Sequence, residues 1–281
     1  MENISNSFLQ LAGLSFAKRV QFVLEKIWPN QSTANIENAI RSSFTRENFG
    51  TNSICPIFKK EETSYIAEMF RGPTGSFKDL HSLLMPYIVP ARRLNLVAAS
   101  GSSAVAAAVS FTKANRAKAL IFYSKTDISE KNYLELATVN SKNVVAMGLN
   151  SEICDIQRKI DEIAGHNEKI NLINSMYLGK SAPLAACLIS LYCELLTHRE
   201  IKIGEPINIK FPRKHSSLQQ AILIAANLGM PISRNACKSL ALQTKNPIRK
   251  KDLSELKERP IISDAILNLE QMEQFIGMVE L

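Results

Sequence analysis

Apolar residues recur at helical spacing over residues 14–27, and the pattern stops before Pro29. A stripe of this kind predicts an amphipathic helix, and proline halts it because its ring removes an amide donor. A second short helix is expected over 36–44, and a new pattern starts near Ile57. From Leu94 onward, short β-rich runs alternate with helical ones: strand 94–99 with helix 102–115, strand 119–123 with helix 129–139, and strand 143–149 with helix 152–164. Strand 170–173 precedes a long helix over 183–197, and strand 207–211 precedes a helix over 218–228 that ends at Gly229. Five consecutive strand–helix units predict an α/β fold with a parallel sheet and helices on both faces. Such folds bind ligands at the carboxyl ends of their strands, here the turns at 100–104, 125–129, 174–183 and 212–217. After Pro231 the pattern weakens, and 253–279 reads as helical pieces separated by Pro260. The expected organisation is therefore an N-terminal helical segment over 1–56, an α/β core over 57–235, and a C-terminal helical remnant over 236–281.

Composition narrows the class of partner. Of 281 residues, 46% are hydrophobic, so the chain can build a core. Net charge is +8, from 34 basic and 26 acidic residues. A basic balance favours acidic ligands, but the charges are dispersed. The densest run, 245–259, also holds Asp252, Glu255 and Glu258 and reads as a solvated helical face. With no recognisable nucleic-acid motif, a nucleic-acid partner is not expected. Five cysteines without C-x-x-C spacing suggest reduced thiols in a cytoplasmic protein. Residues 1–7 do not read as a signal peptide. The stretch 182–196 is short of ~20 residues and contains Glu194, so it reads as a buried helix and not a membrane span. Glycine is scarce, with 11 in the chain, or about 4% against a usual ~7%.

One segment concentrates candidate chemistry: Arg71-Gly72-Pro73-Thr74-Gly75-Ser76-Phe77-Lys78-Asp79. Gly-Pro-Thr-Gly makes a tight turn, after which Lys78 opens a helix carrying Leu80, Leu83 and Leu84. A lysine near the positive end of the helix dipole favours the neutral amine that Schiff-base chemistry needs. The plain alternative is a surface lysine after a loop. His81, one turn on, is within reach of the same place, although a partly exposed helix histidine is the commoner arrangement. His166 and His198 sit near expected helix ends, where histidine interacts with the dipole. No spacing of His, Asp and Glu suggests a metal, and Ser100-Gly101-Ser102 lacks the surroundings of a nucleophile elbow.

The segment around Lys78 resembles the H-G-P-T-x-A-F-K-D motif of threonine synthases, which are fold-type II pyridoxal-phosphate (PLP) enzymes. Other segments follow in order. Ala98-Ala99-Ser100-Gly101-Ser102-Ser103-Ala104 is similar to the family's A-T-S-G-D-T-G turn, and 122–138, with Tyr123, Ser129 and Thr138, to the strand–helix unit after it. Cys154-Asp155-Ile156-Gln157 resembles D-D-C-Q. Asn174-Ser175-Met176-Tyr177-Leu178-Gly179-Lys180, then Pro183, resembles N-S-I-N-x-G-R with its later proline, and Gly229-Met230-Pro231-Ile232 resembles G-L-P-I. The resemblance covers about residues 16–232 and implies a tryptophan synthase β-like fold that is truncated at its C-terminus.

By this resemblance Lys78 would hold PLP as an internal aldimine and serve as anchor and acid/base. The implied reaction converts O-phosphohomoserine to threonine and phosphate, so the implied partner is a small phosphorylated amino acid. Ser100, Ser102 and Ser103 would contact its phosphate or carboxylate, and Lys180, where the family has arginine, would offer a charge without the bidentate fork. The family's cofactor-phosphate loop, P-T-G-N-F-G, is Pro212-Arg213-Lys214-His215-Ser216-Ser217 here. Arg213, Lys214, His215, Ser216 and Ser217 would have to replace inward-turned glycine amides. Ser102 and Ala104-Val105 also depart from the family's Asp and Gly-Ala, Val105 being the bulkier residue. The resemblance implies a hydroxyl partner for the pyridine nitrogen beyond the G-L-P-I segment, and no stretch within 238–281 is similar to it. Two readings follow: a PLP-dependent lyase, or a degenerate non-catalytic relative with an interaction or regulatory role. Oligomeric state stays open.

Overall fold

The computed structural model describes residues 3–90, 92–139, 141–165, 167–173, 178–212, 215–245 and 266–279. The chain opens with helices α1 (Phe8–Ala12), α2 (Phe16–Ile27), α3 (Thr33–Ser43) and α4 (Arg46–Phe49), then strands β1 (Ile57–Glu61) and β2 (Ser64–Glu68). Short helices α5 (Asp79–Ser82) and α6 (Met85–Ile88) precede β3 (Leu94–Ala98), α7 (Gly101–Ala114), β4 (Ala119–Ser124), α8 (Glu130–Ala137), β5 (Val144–Leu149), α9 (Ile153–Gly165) and β6 (Ile170–Ile173). There follow α10 (Leu178–Thr197), β7 (Ile207–Lys210), α11 (Ser216–Asn227), β8 (Lys238–Gln243), β9 (Ile266–Leu267) and α12 (Leu269–Val279). Two compact units result, Met1–Leu84 with Leu178–Asn246 and Met85–Tyr177 with Pro247–Leu281.

The second unit is built on a parallel sheet of order β6-β3-β4-β5-β9. Every residue of β3 and β4 is buried, as expected where helices cover both faces. Alternation sorts their side chains. Val97, Ile121, Tyr123, Val144 and Ala146 join the cluster of Ala104, Val105, Ala108 and Phe111 on α7. Leu96, Ala98, Leu120, Phe122, Met147 and Leu149 join Ile156 and Ile160 of α9, with Met272 and Ile276 of α12. The expected α/β architecture with helices on both faces is present here.

The first unit has its own sheet, of order β1-β2-β8-β7. The β1–β2 pair is antiparallel, while β2–β8 and β8–β7 are parallel. At its centre α10 buries Ala182, Leu184, Ala185, Leu188, Ile189 and Tyr192 almost completely. Its window 179–197 is long and apolar enough to cross a membrane, yet 89% of it is buried within the structure. Against it packs α2, whose stripe Val20, Val23, Leu24 and Ile27 is buried and whose first turn is capped by Ser15. Arg19, 3% exposed, ties three helices together. Its guanidinium donates to the carbonyls of Leu11 at 2.9 Å, Ala12 at 2.8 Å and Ser190 at 3.3 Å, to Thr197 Oγ1 at 3.1 Å, and to the carboxylate of Glu194. A buried charge persists only when its donors are satisfied in this way.

Three expectations change. The five strand–helix units do not share one sheet, because the fifth strand, β7, joins β8 in the first unit. Periodicity marks a strand but does not choose its neighbour. Residues 238–243, expected within a helical remnant, form a strand held between β2 and β7. Boundaries read near 56 and 235 do not coincide with the units, since the N-terminal helices pack around α10. The long helix begins at Leu178, with Pro183 inside it. The segment 246–265, with most of the basic run and Pro260, lies outside the described residues, as does His166.

Candidate functional site

The short loop that carries Lys78 is held on two sides, by its own residues and by the segment after β8. Gly75 adopts φ +68°, and its amide donates to the Gly72 carbonyl at 3.0 Å. Asp79 then folds back across the turn. Its carboxylate accepts from the Thr74 amide at 2.9 Å and the Thr74 hydroxyl at 2.8 Å, while its side chain lies directly against Gly72. On the other flank, Ser76 pairs with Lys245 in an antiparallel bridge, and the Phe77 amide donates to the Thr244 carbonyl at 3.0 Å. Phe77 is buried, and the His215 ring packs on it at 5.0 Å between centroids.

Half-buried and facing Lys245, the Lys78 amine is pushed down from 10.5 to about 8, chiefly by burial and then by that lysine's charge. The expected cause was the helix dipole. Because α5 is a single turn, desolvation replaces the dipole as the main cause. Lys180, in the first turn of α10, is likewise pushed down to about 8 by burial and by Lys78.

His81 corrects an expectation. Only 3% of it is exposed, and Nδ1 lies 3.3 Å from Ser82 Oγ. Burial, then Lys180 and Lys78, holds its imidazole well below the usual histidine range. His215 is half-buried and lowered by burial, Lys78 and Lys245. The first unit therefore brings Lys78, His81, Lys180, His215 and Lys245 into electrostatic range along a chain with Lys78 at its middle. Sequence reasoning missed Lys245, which looked like the start of a solvated run. Only its pairing with Ser76 brings it here. Ser216 is exposed and Ser217 half-buried, both in the first turn of α11, whose N-cap His215 makes no side-chain capping bond. Arg213, Lys214 and residues 174–177 lie outside the described residues.

In the second unit, Ser100 is the extended N-cap of α7, without a side-chain capping bond. Ser102 and Ser103 are half-buried in its first turn. Gly101 takes φ +47°, and a Cβ there would lie 3.0 Å from Asn132 Nδ2, so glycine is favoured. Val105 points into the α7 core cluster, which absorbs its extra bulk. All five cysteines are free thiols. His198 is an exposed partner of Glu194 Oε1 at 3.2 Å, at the end of α10.

Over 253 residues the chain is 27% identical to human threonine synthase-like 1, a match covering 82% of this chain and 34% of that protein. Over 238 residues it is 25% identical to threonine synthase of Haemophilus influenzae, covering 82% and 54%. These matches support a divergent member of the threonine synthase family. No family model matches the chain. Its fold is that of solved threonine synthases. The PLP-bound Brucella melitensis protein superposes with a TM-score of 0.67 at 18% identity, over 86% of this chain and 52% of that one. The Escherichia coli protein gives 0.63 at 17%, over 97% and 72%. The chain thus spans a third to a half of the length of these two threonine synthase relatives.

Proposed function

We propose that this chain binds PLP through Lys78 and works as a carbon–oxygen lyase of threonine synthase type on a phosphorylated amino acid. The observation that carries the reading is the amine of Lys78, half-buried, clamped by the Thr74–Asp79 loop, and lowered to about 8. At pH 7.5 about a quarter of such an amine is neutral and nucleophilic, against ~0.1% of an ordinary lysine. The donor set also fits a phosphate-bearing aldehyde: the described groups acting on Lys78, His81 and His215 are basic.

When bound, PLP supplies an electron sink for a carbanion. The chain's own residues do the rest. Lys78 accepts and returns protons at its Nζ, from a backbone that the Thr74–Asp79 bonds hold in place. Lys180 offers a second amine beside it, as a charge for an anionic substrate group. By family resemblance, the hydroxyls of Ser100, Ser102 and Ser103 bind substrate. Support for the other reading, a non-catalytic relative, comes from the absence of glycine across residues 212–217.

The experiment is an absorption spectrum of the purified protein with PLP, before and after borohydride, with peptide mapping and Lys78→Ala in parallel. A visible band that borohydride removes, mapped to Lys78 and lost in the variant, is the expected result. Phosphate release from O-phosphohomoserine then tests the reaction. A band indifferent to Lys78→Ala, or none, overturns the reading.

A further inference from the structure

Strand β7 ends the sheet of the first unit, with β8 paired along one side of it. In a parallel ladder the amide and carbonyl of one residue point to the same side, and those of the next residue to the other. The Ile207 amide donates to the Pro231 carbonyl at 3.1 Å, and the Ile207 carbonyl accepts from the Ser233 amide at 3.1 Å, both away from β8. Two residues on, Ile209 turns its amide and carbonyl to that same outer side, where no described backbone group pairs with them. Beside this edge lies a groove of about 830 Å³, lined by residues of β7, α11 and 232–234. Its apolar wall includes Ile209, Phe211, Ile222 and Leu223, the last 64% exposed. Its charges are Lys210 and Arg234, both exposed, and no carboxylate is among the described residues that line it. Alternation places Ile209 on the buried face of β7, with Asn208 and Lys210 on the open one.

We infer that β7 accepts an extended acidic segment of a partner protein as a further strand, one in which apolar residues alternate with carboxylates. Backbone bonds at Ile209 hold the segment, its apolar side chains cover Ile222 and Leu223, and its carboxylates meet Lys210 and Arg234. A second copy of this chain suits the edge poorly, because two β7 strands brought together gather Lys210 and Arg234 of both chains. The opposite edge, β1, carries Lys59, Lys60 and Glu61, and charges of both signs on an edge discourage pairing. The inference does not depend on what Lys78 binds.

The test titrates the full chain with a fluorescein-labelled peptide that alternates glutamate and valine, read by anisotropy. Companion peptides carry lysine in place of glutamate, or N-methyl groups on every amide, which remove the backbone donors. The variants are Lys210→Glu with Arg234→Glu, Leu223→Asp, and Lys60→Glu at the opposite edge, all at exposed positions, with folding checked by circular dichroism. We expect the glutamate peptide to bind, and the paired charge reversal to weaken it about tenfold while improving the lysine peptide. Leu223→Asp and N-methylation should weaken it too, and Lys60→Glu should leave it unchanged. Binding should slow hydrogen exchange at the Ile209 amide, read by NMR. A lysine peptide that binds the wild type as tightly, undiminished binding after N-methylation, unchanged exchange at Ile209, or no binding at all overturns the inference. So does self-association of the chain that excludes the glutamate peptide, which would assign the edge to a second copy.

Discussion

Replacing Gly72 with alanine tests whether Asp79 clamps the loop that holds Lys78. The glycines with positive φ are Gly50, Gly75, Gly101, Gly204 and Gly229, so the Gly72 backbone accepts alanine and the cost comes from contact alone. The added carbon would lie 2.6 Å from Asp79 Oδ2 and closer still to its Cβ. Asp79 cannot yield cheaply, because it is 1% exposed and accepts from Thr74 at 2.9 and 2.8 Å. Forcing a carbon into packed space costs about 1–3 kcal/mol. Losing one hydrogen bond to a charged group costs about 1.5–3 kcal/mol more. We expect Gly72→Ala to destabilise by about 3–5 kcal/mol, read as a shift in urea midpoint at unchanged slope by circular dichroism. Thr74→Val, which removes the hydroxyl bond but keeps the amide bond, should cost about 1.5–2 kcal/mol. A Gly72→Ala change within about 0.5 kcal/mol would show that Asp79 does not press on the turn.

Lys180→Met should stabilise the protein at pH 7. With the folded amine lowered to about 8, the unfolded chain binds more protons between pH 8 and 10.5. Wild-type stability should therefore recover over that window, and the gain from the variant should shrink there. A gain that does not depend on pH would refute the role of charge. For His81 the same linkage acts at lower pH. Its folded imidazole resists protonation, so the wild type should lose stability as pH falls below about 6.5, and His81→Phe should flatten that slope in melts from pH 7 to 5. An identical slope in the variant would place the acid sensitivity elsewhere. Arg19→Met removes the donors to buried carbonyls of α1 and α10, so a loss of about 2–3 kcal/mol is expected in chemical unfolding. A loss under about 1 kcal/mol would mean that apolar packing alone holds α2 against α10.

Local chemistry determined much of this protein. Strands β3 to β6 of the second unit read clearly because both faces of a parallel sheet are covered, which makes each a nearly continuous apolar run, whereas the two-residue β9 falls within a stretch that reads as helical. The loop around Lys78 was legible for a related reason. Turn, clamp and lysine lie within eight residues, and the Gly72–Asp79 contact needs no distant partner. What lay beyond reach were consequences of pairing between remote segments. In β1 the lysines and glutamate face solvent, and β8 mixes polar and apolar residues, so neither announces a strand until its neighbours supply hydrogen bonds. His81 looked like a surface histidine because α10, whose packing buries α5, starts about a hundred residues later. Lys245 looked like part of a solvated run until β8 carried it to Ser76. Sequence by itself decides which groups are present and which local turns they make. Burial and the approach of like charges shift the amines of Lys78 and Lys180, and only the tertiary structure sets those.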